Sequence, residues 1–130
     1  MALHVELVSP ERILYTGEAD MVICRTVEEG EVAFMTGHAP FLGALDLARV
    51  KVNATGGGEE VFAVLGGFVE VRDDRVVILS DEAELISEID VERARVDKED
   101  AERRLSMAAD DVEAEALLRR ATTRLDLAAG

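Results

Sequence analysis

A chain of 130 residues with 28 acidic against 14 basic side chains, net charge −14, has room for one domain plus an appendage too small for a full core of its own. Both parts share the sign, 6 basic against 16 acidic residues in 1–86 and 8 against 12 in 87–130, so no basic patch exists to displace the counterions of nucleic acid or anionic lipid, and basic protein surfaces are the expected partners. The longest mostly apolar stretch, residues 61–69, is far short of the ~20 residues of a membrane span, and residues 1–9 lack the basic start and apolar block of a signal peptide, so a cytosolic chain with no direct lipid insertion is expected.

Nine of the ten glycines and both prolines fall in residues 1–67. Two kinds of backbone are therefore joined: a turn-rich first part and a tail after about Ile86 with helix composition. In the first part, Leu3, Val5 and Leu7 alternate with His4 and Glu6 until Ser9-Pro10 halts the strand. Further strand-like runs follow at 21–27, 31–36, 49–53, 61–65, 68–72 and 75–80, which predicts a seven-stranded sandwich or barrel. Gly56-Gly57-Gly58 and the pair Asp73-Asp74 read as hairpin connections. Residues 76–79 are apolar on both faces, the pattern of a central strand. Cys24 lies in a strand-like run with no second thiol to pair with, and reads as a buried reduced side chain.

In the tail, Val91, Ala94, Lys98, Ala101, Leu105 and Ala108 recur at spacings of 3 and 4, and so do Ala114, Leu118, Ala121, Leu125 and Ala128. The spacing predicts two amphipathic helices in an antiparallel hairpin, with Asp90 capping the first and Asp110, three residues before Glu113, capping the second. Alanine fills about half of that seam and a lysine interrupts it, so the hairpin is expected to be weakly held and mobile.

No catalytic constellation can be assembled: the chain has no Gly-rich phosphate loop, no HExxH, no paired-cysteine metal motif and no Gly-x-Ser-x-Gly elbow. His4 reads as a surface side chain, and His38 in Gly37-His38-Ala39-Pro40 has no Cys or Ser with an orienting partner beside it.

Residues 28–40, an acidic turn, a short apolar strand and a rigid Gly-His-Ala-Pro corner, form the most specific segment. Here the chain resembles the epsilon subunits of bacterial F-type ATP synthases, whose signature runs Gly-Glu-x-Gly-x-x-Pro-Gly-His-Ala-Pro. Ala33 and Thr36 depart from it, standing where the signature has glycine and proline. The resemblance extends along nearly the whole chain, through Val8-Ser9-Pro10-Glu11 with Gly17-Glu18, Leu65-Gly66-Gly67-Phe68-Val69-Glu70-Val71, residues 77–83 and Ile89-Asp90-Val91-Glu92-Arg93-Ala94.

The resemblance implies an α+β chain, an N-terminal β-sandwich in residues 1–86 and a two-helix regulatory hairpin in 87–130. It implies a non-catalytic part of the central-stalk rotor, peripheral to the cytoplasmic face of the bacterial cell membrane, helping to couple proton translocation to ATP synthesis. The sandwich would meet the gamma subunit and the c-ring through Glu31, Phe34, Gly37, His38, Ala39, Pro40 and Phe41, with Glu31 towards the ring and His38 towards gamma. The hairpin would reach the alpha and beta subunits and block ATP hydrolysis. No cofactor is required, but the resemblance implies a regulatory Mg-ATP site at Ile89, Asp90, Arg93 and Ala94, with Glu84, Arg120 and Arg124 as accessories. From the residues alone, Asp90 and Arg93 read rather as a helix cap and an exposed helix charge. Two other functions stand beside this one: a stand-alone acidic β-sandwich binding module with a dimerising helical arm, and a small hydrolase using His38. An exposed apolar patch built partly from Val32, Phe34 and Phe41 would favour the assembly reading.

Overall fold

The computed structural model describes residues 2–130, which divide into two compact units, one ending at Leu85 and the other running from Ile86 to Gly130. The first unit holds nine strands: β1 (Leu3–Val8), β2 (Ile13–Thr26), β3 (Gly30–Met35), β4 (Phe41–Ala44), β5 (Leu47–Ala54), β6 (Glu59–Leu65), β7 (Phe68–Arg72), β8 (Arg75–Leu79) and β9 (Ala83–Leu85). They hydrogen-bond in the order β4-β7-β8-β1-β2-β5-β6-β9, with β3 on β2. All pairs are antiparallel except β1 with β8.

Burial alternates along β1, β7 and β8, so each presents one apolar row inward: Leu3, Val5 and Leu7; Val69 and Val71; Val76 and Ile78. These rows meet Phe34, Val50, Val52, Phe62 and Val64 from the other strands in one core. Two inward faces closing on one core make a β-sandwich.

Two strands and half of a third carry no clear alternation. Residues 13–20 extend β2 to fourteen residues, although Thr16, Gly17 and Glu18 break the apolar pattern. β4 has four residues and β9 three, too short for a period of two to register. Gly67, at φ +111°, is required by space as well as backbone: a Cβ there would stand 2.2 Å from the Leu79 carbonyl oxygen, whereas at Gly66, φ +91°, it would meet nothing within 4 Å.

The second unit is a single 3-10 turn (Ile86–Glu88), α1 (Val91–Met107) and α2 (Val112–Ala129). The four-residue connection makes the helices an antiparallel hairpin. Its seam is alanine at intervals of seven: Ala94 and Ala101 on α1 and Ala114 and Ala121 on α2 are buried, flanked by half-buried Lys98, Leu105, Leu118 and Leu125. Small residues let the helices approach closely but bury little, roughly 0.8 kcal/mol per methyl group.

The turn supplies what the seam lacks. Asp111, not Asp110, caps α2, its carboxylate accepting from the Ala114 N–H at 3.0 Å. Asp110 lies in the turn itself. The choice follows from α1, because Arg104 reaches the next carboxylate with both arms: Nε is 3.3 Å from Asp111 Oδ2 and Nη2 3.3 Å from Oδ1. Glu113 adds a contact to the same guanidinium at 3.6 Å. The Ala114 hydrogen bond first, and Arg104 beside it, hold the Asp111 carboxyl below its ordinary 3.8.

Two outcomes are expected. Gly67→Ala should destabilise the sandwich by roughly 3 kcal/mol or more and Gly66→Ala by about 1–2 kcal/mol, in urea unfolding. Because the folded Asp111 is the stronger acid, its contribution to the hairpin is complete above pH 3.8 and lost as the pH falls through its lower folded value. Circular dichroism of residues 91–129 below pH 4 should show that loss in the unmodified chain and not in Asp111→Asn.

Candidate functional site

Three regions carry side chains that could do more than hold the fold. The first is the corner after β3. Gly37, left-handed at φ 87°, turns the chain, and His38 donates its N–H to the Met35 carbonyl at 3.1 Å. The His38 ring stands edge-on to Phe34, centroids 4.9 Å apart, and Phe34 meets Phe41 at 5.3 Å. His38 Nδ1 lies 2.7 Å from the Ala39 carbonyl. That ring is a packed element beside two phenyl groups.

The structure separates residues that the sequence places side by side. Phe34 is fully buried and Val32 and Phe41 lie against the core, so these three do not form an exposed patch: inward positions of β3 and β4 were needed to fill the sandwich. Glu31 pairs with Arg25 near the β2–β3 turn, whereas Met35 pairs with Met21, so Glu31 and His38 stand at opposite ends of β3. Gly37, Ala39 and Pro40 are exposed and His38 half-buried.

The exposed apolar surface lies instead on the outward face of five neighbouring strands. Ala44 pairs with Phe68, Phe68 with Leu79, Leu79 with Val8, and Val8 with Ile13. This is one cross-strand row over β4, β7, β8, β1 and β2, spanning roughly 19 Å at the usual strand spacing. Phe68, Leu79 and Ile13 are 57%, 50% and 63% exposed, and Leu42, one row along, 72%. Beside Leu42 a surface hollow of about 310 Å³ is lined by Pro40, Phe41, Glu70, Val71 and Arg72.

Further along the same strands the face becomes charged. Arg72 pairs with Arg75, Arg75 with His4, and His4 with Glu18. The Arg75 guanidinium bonds Glu6. An apolar row passing into a charged one is the anatomy of a docking surface. Its sequence signal was present in the apolar outward positions of β8, Val77 and Leu79, which serve equally in a central strand and in a face that a partner covers.

The third region is the start of α1. Ile89 is largely buried, Asp90 accepts from the Arg93 N–H at 3.0 Å as the N-cap, Arg93 Nε lies 3.1 Å from Asp97, and Ala94 is in the seam. The antiparallel return of α2 carries Arg120 and Arg124 towards that end, where α2 also touches the 3-10 turn. Glu84 belongs to the other unit, in β9, paired with Ala63.

Burial pushes the Cys24 thiol up to about 12, so it stays protonated and unreactive near neutral pH. Among the described residues, no group of three or more His, Cys, Asp or Glu side chains is disposed to hold a metal ion, and no helix is long and apolar enough to cross a membrane.

Comparison with known proteins accounts for both units. Residues 2–86 match the family of the ATP synthase delta/epsilon chain β-sandwich domain, and residues 87–129 that of its long α-helix domain. The chain is 48% identical to the ATP synthase epsilon chain of Halalkalibacterium halodurans, over 97% of this chain and 96% of that one. It is 50% identical to that of Thermobifida fusca, over 95% and 89%. Among solved structures, a chain of the Euglena gracilis mitochondrial ATP synthase (OSCP/F1/c-ring, by cryo-electron microscopy) superposes with a TM-score of 0.81 at 26% identity, covering 99% of this chain and 82% of that one. The sandwich, the hairpin and these matches along the full length agree: the chain belongs to the ATP synthase delta/epsilon chain family.

Proposed function

We propose that this chain is a non-catalytic central-stalk subunit of an F-type ATP synthase, peripheral to the membrane, helping rotation couple proton translocation to ATP synthesis. The outward apolar row carries the reading. A lone monomer gains nothing from leaving Phe68, Leu79, Ile13 and Leu42 in water, whereas covering what remains exposed of each yields roughly 1 kcal/mol per side chain. Exposed ion pairs between the acidic surface and a basic neighbour add only ~0–1 kcal/mol each, so the apolar row decides affinity and the charges orient.

The occupant that fits is the gamma subunit on the apolar row and the adjoining His38 corner, whose Pro40 shares a hollow with Leu42, with the c-ring loops at the acidic β2–β3 turn of Glu31. Corner and turn stand at opposite ends of β3, so one rotor neighbour cannot take both through the same few residues. The hairpin, closed by an alanine seam and one bidentate clasp, suits an arm that shifts its resting place for a few kcal/mol and reaches the alpha and beta subunits. In this reading the chain works at the cytoplasmic face of the bacterial cell membrane.

A second reading concerns Mg-ATP. The position of Ile89, Asp90, Arg93, Ala94, Arg120 and Arg124 towards one end of the hairpin favours a nucleotide site there. Binding must displace the Asp90 cap and the Arg93–Asp97 contact, at about 1 kcal/mol for the cap, which points to weak affinity.

Capture by an immobilised gamma–c-ring complex tests the first reading. Leu79→Glu with Phe68→Glu should abolish capture while leaving the unfolding midpoint nearly unchanged, since both side chains face water. Undiminished capture of that variant would remove the apolar row as the contact, and no capture of the unmodified chain would favour the stand-alone module. Calorimetric titration with Mg-ATP tests the second: saturable heat below millimolar concentration, lost in Arg93→Ala, is expected, and none in the unmodified chain would refute it.

A further inference from the structure

The two-residue turn joining β7 to β8 departs from the chemistry of its class. Such turns need two left-handed residues and take Asn-Gly or Asp-Gly. Here both positions are aspartate, Asp73 at φ 50° and Asp74 at φ 57°. At Asp74 glycine would relieve a conformation that a Cβ disfavours.

Asp74 does what glycine could not. Its Oδ1 accepts from the Gly37 N–H at 2.7 Å, a charge-assisted bond across thirty-seven residues of chain. Its carbonyl accepts from the His4 N–H at 2.9 Å. Gly37 is the left-handed pivot of the corner, and the next residue is His38, whose ring rests on Phe34 and faces Phe41 at 6.4 Å. One strained aspartate thus ties the β7–β8 turn, the start of β1 and the corner together. Left-handed residues that glycine could replace persist where the surroundings make use of them.

We propose that Asp74 is a positioning residue of the docking surface: by holding the Gly37 amide it fixes the direction in which the exposed Ala39-Pro40 edge and the His38 ring, continuous with the apolar row through the hollow that Pro40 shares with Leu42, are presented to the gamma subunit. The proposal rests on the docking reading above. A merely structural aspartate would show itself as lost stability. A positioning one sacrifices stability for presentation, so its replacement by glycine separates the two properties.

The test compares Asp74→Gly, Asp74→Asn and Asp73→Gly in the full chain by thermal midpoint, by exchange of the Gly37 amide in NMR, and by capture on the gamma–c-ring complex. In Asp74→Gly the midpoint should hold or rise, the Gly37 amide should exchange about tenfold faster, and capture should weaken by roughly fivefold or more. Asp74→Asn keeps an acceptor and tolerates the left-handed region, so it should restore most of both. Asp73→Gly should raise the midpoint and change neither. Unchanged Gly37 exchange in Asp74→Gly overturns the proposal, as does full-strength capture of that variant. A fall in its midpoint that tracks the lost capture, with no rescue by asparagine, overturns it too. Failure of the unmodified chain to be captured is a different result: it refutes the docking reading, and the assembly role of Asp74 with it.

Discussion

One strand holds the sandwich together. The first part of β2 pairs with β1, and its second part with β3 and β5, so the two layers share a backbone and cannot slide apart without breaking it. Its register against β5 shifts between Ala19 and Met21, the kind of irregularity that bends a strand. At its far end Thr26 bridges Leu45, and its hydroxyl is bonded to the Gly30 carbonyl. Ala19, Val22, Cys24 and Thr26 are the residues this strand buries. Inward positions on all sides are thereby committed to one core.

That commitment explains the outward face. Once Phe34, Val69, Val71, Val76 and Ile78 fill the interior, Phe68, Leu79 and Ile13 cannot turn in without a slip that would expose the whole inward row. Their apolar character is left for a neighbour. The gradient from this row to Arg72, Arg75, His4 and Glu18 lets a single surface supply both adhesion and orientation. The hairpin reverses the emphasis: its seam buries only alanines fully, and a bidentate contact at the turn fixes where the two helices meet.

Much of this was legible in the sequence, where a signal longer than a few residues existed. The alternation Leu3-His4-Val5-Glu6-Leu7 marks β1, and the alanine seam reports the hairpin almost residue by residue. The first part of β2 was hidden because Gly17, which pairs with the buried Val5, has no side chain to mark the inward row between the outward Thr16 and Glu18. β4 and β9 are shorter than the period that would betray them. The cap of α2 lies at Asp111 because Arg104 selects between adjacent carboxylates, a contact seven residues away that local capping patterns ignore. The corner was visible as Gly37-His38-Ala39-Pro40, but the aromatic order beneath it was not: Phe34 is the floor on which His38 rests, not part of the exposed surface. Asp74 left no trace as a partner of Gly37, since a pairing across two loops has no periodicity.

The central claim is that the outward row of β4, β7, β8, β1 and β2 is covered in the assembled rotor. Hydroxyl-radical labelling of the side chains, read residue by residue in the free chain and in the chain bound to the gamma subunit and c-ring, addresses it directly. The account predicts strong labelling of Phe68, Leu79, Ile13 and Leu42 in the free chain and protection of all four on binding, with Phe34 unlabelled in both states. Equal labelling of those four residues free and bound would contradict it.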